Sequence, residues 1–144
     1  MSAPAILTTG SGNILQAVVT NADGKANSTT NPAPVGSVIS IFATGQGTVP
    51  NPPKDGTPAA GETPTPEKPR VFILPCYTDD CEEADDGITY SGLAPQLVGV
   101  WQINVRIPKK VVPAPQVPII LQYRGRFSQD PGGARTVIAV KAAQ

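Results

Sequence analysis

The 144-residue chain has no histidine, one tryptophan, one methionine, two cysteines and an aromatic content of only 5%. Without histidine, no Ser-His-Asp or Cys-His arrangement can form, because each needs an imidazole to take the nucleophile's proton. Zinc also loses its commonest nitrogen ligand. Charge of one sign is not in excess, since eleven Lys and Arg balance eleven Asp and Glu. That balance argues against nucleic acid, whose binding requires a basic surplus to displace counterions, and against a polybasic membrane contact. No apolar run approaches the length of a spanning helix, so no membrane insertion is expected. The opening MSAPAILTTGSG lacks the charged and apolar regions of a signal peptide. No glycine-rich phosphate loop leads into a helix, and the carboxylates crowd one segment instead of flanking a cleft, as glycoside hydrolysis requires. The expectation is a protein that is not an enzyme.

What is abundant is proline, with 17, and glycine, with 14. Proline lacks an N–H and breaks helices, so long helices are nearly excluded. The apolar residues are rich in Val and Ile, which with Thr suit a pleated sheet. Period-two alternation bounded by turn residues predicts about seven strands, over 13–21, 36–45, 70–74, 87–91, 97–108, 117–124 and 136–141. Asp23-Gly24 marks a turn after the first. A proline-rich stretch at 48–69 reads as a long surface loop, and 74–87 as an acidic loop bearing both cysteines. Short strands with short connectors fit a single all-β domain over 1–144, an antiparallel sandwich.

Two stretches carry a family resemblance: NADGKANS through NPAPVGSVISIFATGQG (21–47), and YSGLAPQLVGVWQINVRIP (90–108). In this order and at this separation they resemble the Solibacter-type C-terminal domain of secreted acidobacterial proteins. The resemblance implies an immunoglobulin-like β-domain in an extracellular or cell-surface protein. It brings no catalytic residue and no ligand. The segment 74–87 departs from that pattern as an insertion, and 124–135 is longer and more basic than a tight hairpin. Insertions on loops are where a scaffold acquires a particular role.

Four groups of residues stand out. Cys76 and Cys81 flank four residues in a loop, and an oxidising compartment favours a disulfide, worth roughly 2 kcal/mol for so small a ring. Asp79, Asp80, Glu82, Glu83, Asp85 and Asp86 are six of the eleven carboxylates. They form a candidate calcium site without EF-hand spacing, or a solvated loop tip. Alternation along 101–107 puts Trp101, Ile103, Val105 and Ile107 on one face and Gln102, Asn104 and Arg106 on the other. The polar row is either the outside of a core strand or a hydrogen-bonding strip for sugar hydroxyls, with Tyr90 or Tyr123 as a stacking ring. Asn27 opens an Asn-Ser-Thr sequon, read as a plain turn. A Lys–Asn isopeptide crosslink would require a buried lysine such as Lys141, and nothing in the sequence selects one.

The sequence thus points to a non-catalytic extracellular structural or adhesive module, with edge strands as its route to a surface assembly. Its partners would be proteins or further copies of itself. The alternative is a carbohydrate-binding module for surface glycans, using Tyr77, Tyr90, Tyr123 or Phe127 as its aromatic platform. No cofactor is expected beyond the candidate calcium.

Overall fold

The computed structural model describes residues 4–10, 12–46, 63–73, 87–95, 97–128 and 135–143. In chain order its strands are β1 (Ala5–Ile6), β2 (Thr8–Thr9), β3 (Ile14–Ala17), β4 (Val19–Thr20), β5 (Ala33–Pro34), β6 (Val38–Thr44), β7 (Thr63–Pro64), β8 (Arg70–Ile73), β9 (Ile88–Leu93), β10 (Trp101–Arg106), β11 (Ala114–Tyr123), β12 (Arg126–Phe127) and β13 (Arg135–Lys141). They form two sheets. One runs β1-β6-β10-β9-β7, with β4 also on β6. The other runs β12-β11-β13-β3-β2, with β5 on β13 and β8 on β11. The chain is therefore all-β and sandwich-like, with no α-helix among the described residues.

Alternation decides which side chains meet between the layers. In β6 and β10 every second residue is buried, which aims Ile39, Ile41, Ala43, Trp101, Ile103 and Val105 inward. Val117, Ile119, Leu121 and Tyr123 of β11, and Val71 and Ile73 of β8, do the same from the second sheet. All belong to one apolar cluster. Each fully buried aliphatic side chain contributes roughly 1.5–3 kcal/mol. Trp101 meets Tyr123 across the layers, edge to face, with ring centroids 4.9 Å apart, in the T-shaped geometry that aromatic quadrupoles favour.

The main departure from the sequence reading is at the N-terminus. The single strand expected over 13–21 is broken at Val18, so that β3 joins the second sheet and β4 the first. Leu7 separates β1 from β2 in the same way. Val18 N–H donates to the Leu7 carbonyl at 2.8 Å, and both residues also bond Phe42 of β6. Both arms of the hairpin thus change sheets at one level, a corner device of packed sheets. The change is invisible to alternation because Ala17 and Val19, on either side of it, keep the same inward parity. β3 and β5 lie parallel to β13, so the second sheet is mixed.

Most other strand expectations fall on strands, with shifted ends. The stretch 97–108 starts its strand only at Trp101, after bends in which Leu97 and Val98 are 45% and 56% exposed. Pro115 sits in β11 where the ladder to β13 loses its regular register, as a residue without an N–H requires. The pieces β1, β2, β5, β7 and β12 are two residues each, too short for any periodicity to reveal.

Candidate functional site

β10 is flanked by β6 and β9, pairing Gln102 with Phe42 and Gly92, and Asn104 with Ser40 and Tyr90. The polar row therefore lies on the outer face of the first sheet, as alternation predicts. Its amides are engaged with their neighbours. Asn104 Oδ1 accepts from Ser40 Oγ at 2.8 Å and from Gln102 Nε2 at 2.9 Å. Those two bonds use both lone pairs of the oxygen. Tyr90 is half-buried, and its hydroxyl donates to the Leu93 carbonyl at 2.8 Å. That bond ties the hydroxyl to the backbone of its own strand. Arg106 is exposed at the end of the row.

Tyr123, the other proposed stacking ring, is only 4% exposed and packs on Trp101. Its ring belongs to the core, and this corrects its assignment to a ligand platform. Its strand position follows the inward parity of Val117, Ile119 and Leu121.

The inward face of β10 has a polar attachment of its own. Trp101 Nε1 donates to Ser91 Oγ at 2.9 Å, Ser91 Oγ lies 2.8 Å from Thr65 Oγ1, and Thr65 Oγ1 donates to the Glu67 carbonyl at 2.6 Å. The Glu67 carboxylate in turn lies 3.6 Å from Arg124 Nε, and the Arg124 guanidinium sits 5.2 Å from the Tyr123 ring centroid. These contacts close a circuit through Trp101, Ser91, Thr65, Glu67, Arg124 and Tyr123. It ties the segment after β7 to both sheets, and Arg124 holds its place with φ of 52°.

A second polar concentration occupies 21–31. Gly24, with φ of 80°, closes the predicted Asp23-Gly24 turn, and Lys25 N–H donates to Asp23 Oδ1 at 2.9 Å. Asn27 is not a surface turn residue. It is 3% exposed and uses its side-chain amide on Asn21, Gln16 and both backbone groups of Ala139. The sequon therefore carries no accessible acceptor in the folded chain. Asn21 donates to the Asn31 carbonyl at 2.7 Å, which ties the two ends of the loop together.

Beside this loop is a cleft of about 240 Å³, lined by Asn21, Asp23, Asn31, Pro32, Ser37 and Lys141 among others. It is smaller than the roughly 300–1,000 Å³ common for ligand pockets. Lys141 is exposed at its rim, which removes it as the buried lysine of an isopeptide crosslink. Cys76, Cys81 and the six carboxylates from Asp79 to Asp86 lie outside the described residues.

Phe127, one of the candidate platform rings, lies on an outer surface built from three strands. On β8, β11 and β12, Gln122 pairs with Arg70 on one side and Phe127 on the other. The three side chains form a row across the strands, with Phe72 in the adjoining row. The only signals in the sequence were an isolated Phe127 in a basic hairpin and Arg70 at a strand start.

No protein-family model, curated protein or solved structure matches the chain.

Proposed function

We propose that the chain is a non-catalytic structural or adhesive module of an extracellular bacterial protein, built as an immunoglobulin-like sandwich. The observation that carries this reading is the use made of its polar side chains. Trp101, Ser91, Thr65, Asn21, Asn27 and Asn104 bond one another or the backbone. Such satisfied networks rigidify a scaffold and specify its register. The sequence resemblance to Solibacter-type domains supports the extracellular placement, and so does the close spacing of Cys76 and Cys81 in the sequence. The divided N-terminal strand and its parallel pairing on β13 support the immunoglobulin-like topology.

Light scattering on the purified chain, with and without calcium, together with a glycan array, tests the reading. A defined oligomer, or a monomer with no sugar ligand, agrees with a structural or adhesive module. A glycan bound at micromolar concentration, and lost on Gln102→Ala or Tyr90→Ala, would replace it with a carbohydrate-binding module.

A further inference from the structure

One side of β13 is held by chain that runs in the same direction as β13 itself. β3 pairs with Arg135, Thr136 and Val137, and β5 pairs with Val140 and Lys141, both in parallel. Between them, the Asn27 side chain bonds both backbone groups of Ala139. Arg135 N–H donates to the Asn13 carbonyl at 2.7 Å, and Val35 N–H donates to the Lys141 carbonyl at 3.0 Å. β3, Asn27 and β5 all belong to residues 13–35. The ladder therefore joins an early stretch of the chain to its last strand.

The two ends of the described chain lie at opposite ends of the sandwich, and β10 marks the direction. Ala5 pairs with Thr44, next to Ala43, the partner of Trp101 at the start of β10. Lys141 bonds Val35, and Gly36 then donates to the carbonyl of Ile107, beyond the end of β10. A pull between the two ends thus runs along the strands. At the Ala5 end, β1 and β2 are two residues each and give only Ile6 to the apolar cluster. When they yield, the load passes to Asn13 at the start of β3. Because β3 is parallel to β13, its start lies at the end away from Lys141. The two strands are then drawn past each other, and every bond between them is stretched at once. An antiparallel pairing would put the start of one strand beside the end of the other, and its bonds would break one after another. Forced unfolding follows the height of the unfolding barrier, and bonds that must fail together raise it.

We propose that residues 13–35 and β13 form a shear clamp that carries tension between the ends of the chain, with the Asn27 side chain as its middle rung. Without that rung, β3 and β5 would be two short ladders separated at Ala139, free to fail in turn. Load bearing goes beyond the module reading and is separable from it, because force reads the clamp whatever the chain binds.

The test is single-molecule force spectroscopy on the full chain between marker domains. Pulling through the two ends is expected to need several times the force of pulling through the C-terminus and an azide-bearing residue at position 109. Lys109 is exposed and packs beside Gly36, at the Lys141 end of the sandwich, so the second direction opens the ladder from one end. Equal forces in the two directions would overturn the proposal. Asn27→Ala should lower the end-to-end force, whereas Ser91→Ala, which removes the acceptor of Trp101 Nε1 in the other sheet, should keep it. Equal losses from both variants would show that the force follows overall stability, and would also overturn the clamp. If Asn27→Ala does not fold, the comparison of directions decides alone.

Discussion

The side chain of Asn27 pairs with the backbone of Ala139 as a neighbouring strand would. Asn27 Oδ1 accepts the Ala139 N–H at 2.8 Å, and Asn27 Nδ2 donates to the Ala139 carbonyl at 2.9 Å. The position explains the need. β3 pairs with Arg135 to Val137 and β5 with Val140 and Lys141, which leaves Ala139 between two strands. The side chain fills that gap in the ladder. Its remaining capacity goes to Asn21 Oδ1 at 2.9 Å and Gln16 Nε2 at 3.2 Å, so all four of its hydrogen-bonding positions are occupied.

Asn27→Ala should therefore destabilise the chain by about 2–4 kcal/mol, because it orphans buried groups on Ala139 and Asn21 together. Asn27→Asp should be at least as damaging, since it replaces a donor with a buried negative charge. Urea unfolding followed by Trp101 fluorescence measures both. A loss under about 0.5 kcal/mol for either variant would show that the ladder surrogate does not hold the 21–31 loop.

The same burial predicts the fate of the sequon. Expressed in a glycosylating host, the folded chain should leave that host unmodified at Asn27, because both amide hydrogens are used inside the protein. Intact mass reads the outcome. A glycan at Asn27 on soluble, cooperatively folding protein would contradict the arrangement.

The Asn27 bridge also marks the limit of what the sequence discloses. The inward and outward sides of β6 and β10 follow directly from alternation, because each strand is long enough for its period to be counted and one face is apolar. Trp101 as a core residue and Gln102, Asn104 and Arg106 as an outer row were legible for that reason. The sheet change at Val18 was not, since the parity of Ala17 and Val19 continues through it. Nor was the job of Asn27. Its partner Ala139 is 112 positions away, and a local Asn-Ser-Thr reads as a turn whatever its distant contacts. The Arg70, Gln122 and Phe127 row escaped for the same reason, because it is assembled from three separate strands.

Along the outer row of β10, truncation should matter little. Gln102 and Asn104 are half-buried, and their bonds join one another and Ser40. Gln102→Ala should cost less than about 1 kcal/mol, the net worth of one such hydrogen bond where water can replace it. Thermal unfolding measures it, and a loss above about 2 kcal/mol would mean that the row is a structural network and not a solvated outer face.

Ser91 should behave differently from Gln102, because its partner is buried. Trp101 is fully buried, and its Nε1 has Ser91 Oγ as acceptor at 2.9 Å. Ser91→Ala leaves an indole N–H without an acceptor and also detaches Thr65 Oγ1 from β9. The expected cost is about 1–3 kcal/mol. Ser91→Thr, which keeps the hydroxyl, should retain more of the stability. If Ser91→Ala unfolds at the parent's denaturant midpoint, the Trp101 bond contributes nothing.

Tyr123 reverses the sign. Its ring is packed edge-on against Trp101, but its hydroxyl oxygen is buried with no hydrogen-bond partner. Burial strips that hydroxyl of water without replacing the lost bonds, a cost that the folded state carries and the unfolded chain does not. Tyr123→Phe keeps the ring, the contact with Trp101 and the surface beneath the Arg124 guanidinium. The variant should therefore be as stable as the parent or more stable, by up to about 1–2 kcal/mol. Tyr123→Ala, which removes the ring as well, should lose about 3–5 kcal/mol as an aromatic core truncation. Chemical unfolding of the two variants side by side separates the contributions of hydroxyl and ring. A loss above about 1 kcal/mol for Tyr123→Phe would mean that the hydroxyl is hydrogen-bonded in solution, most simply by a buried water.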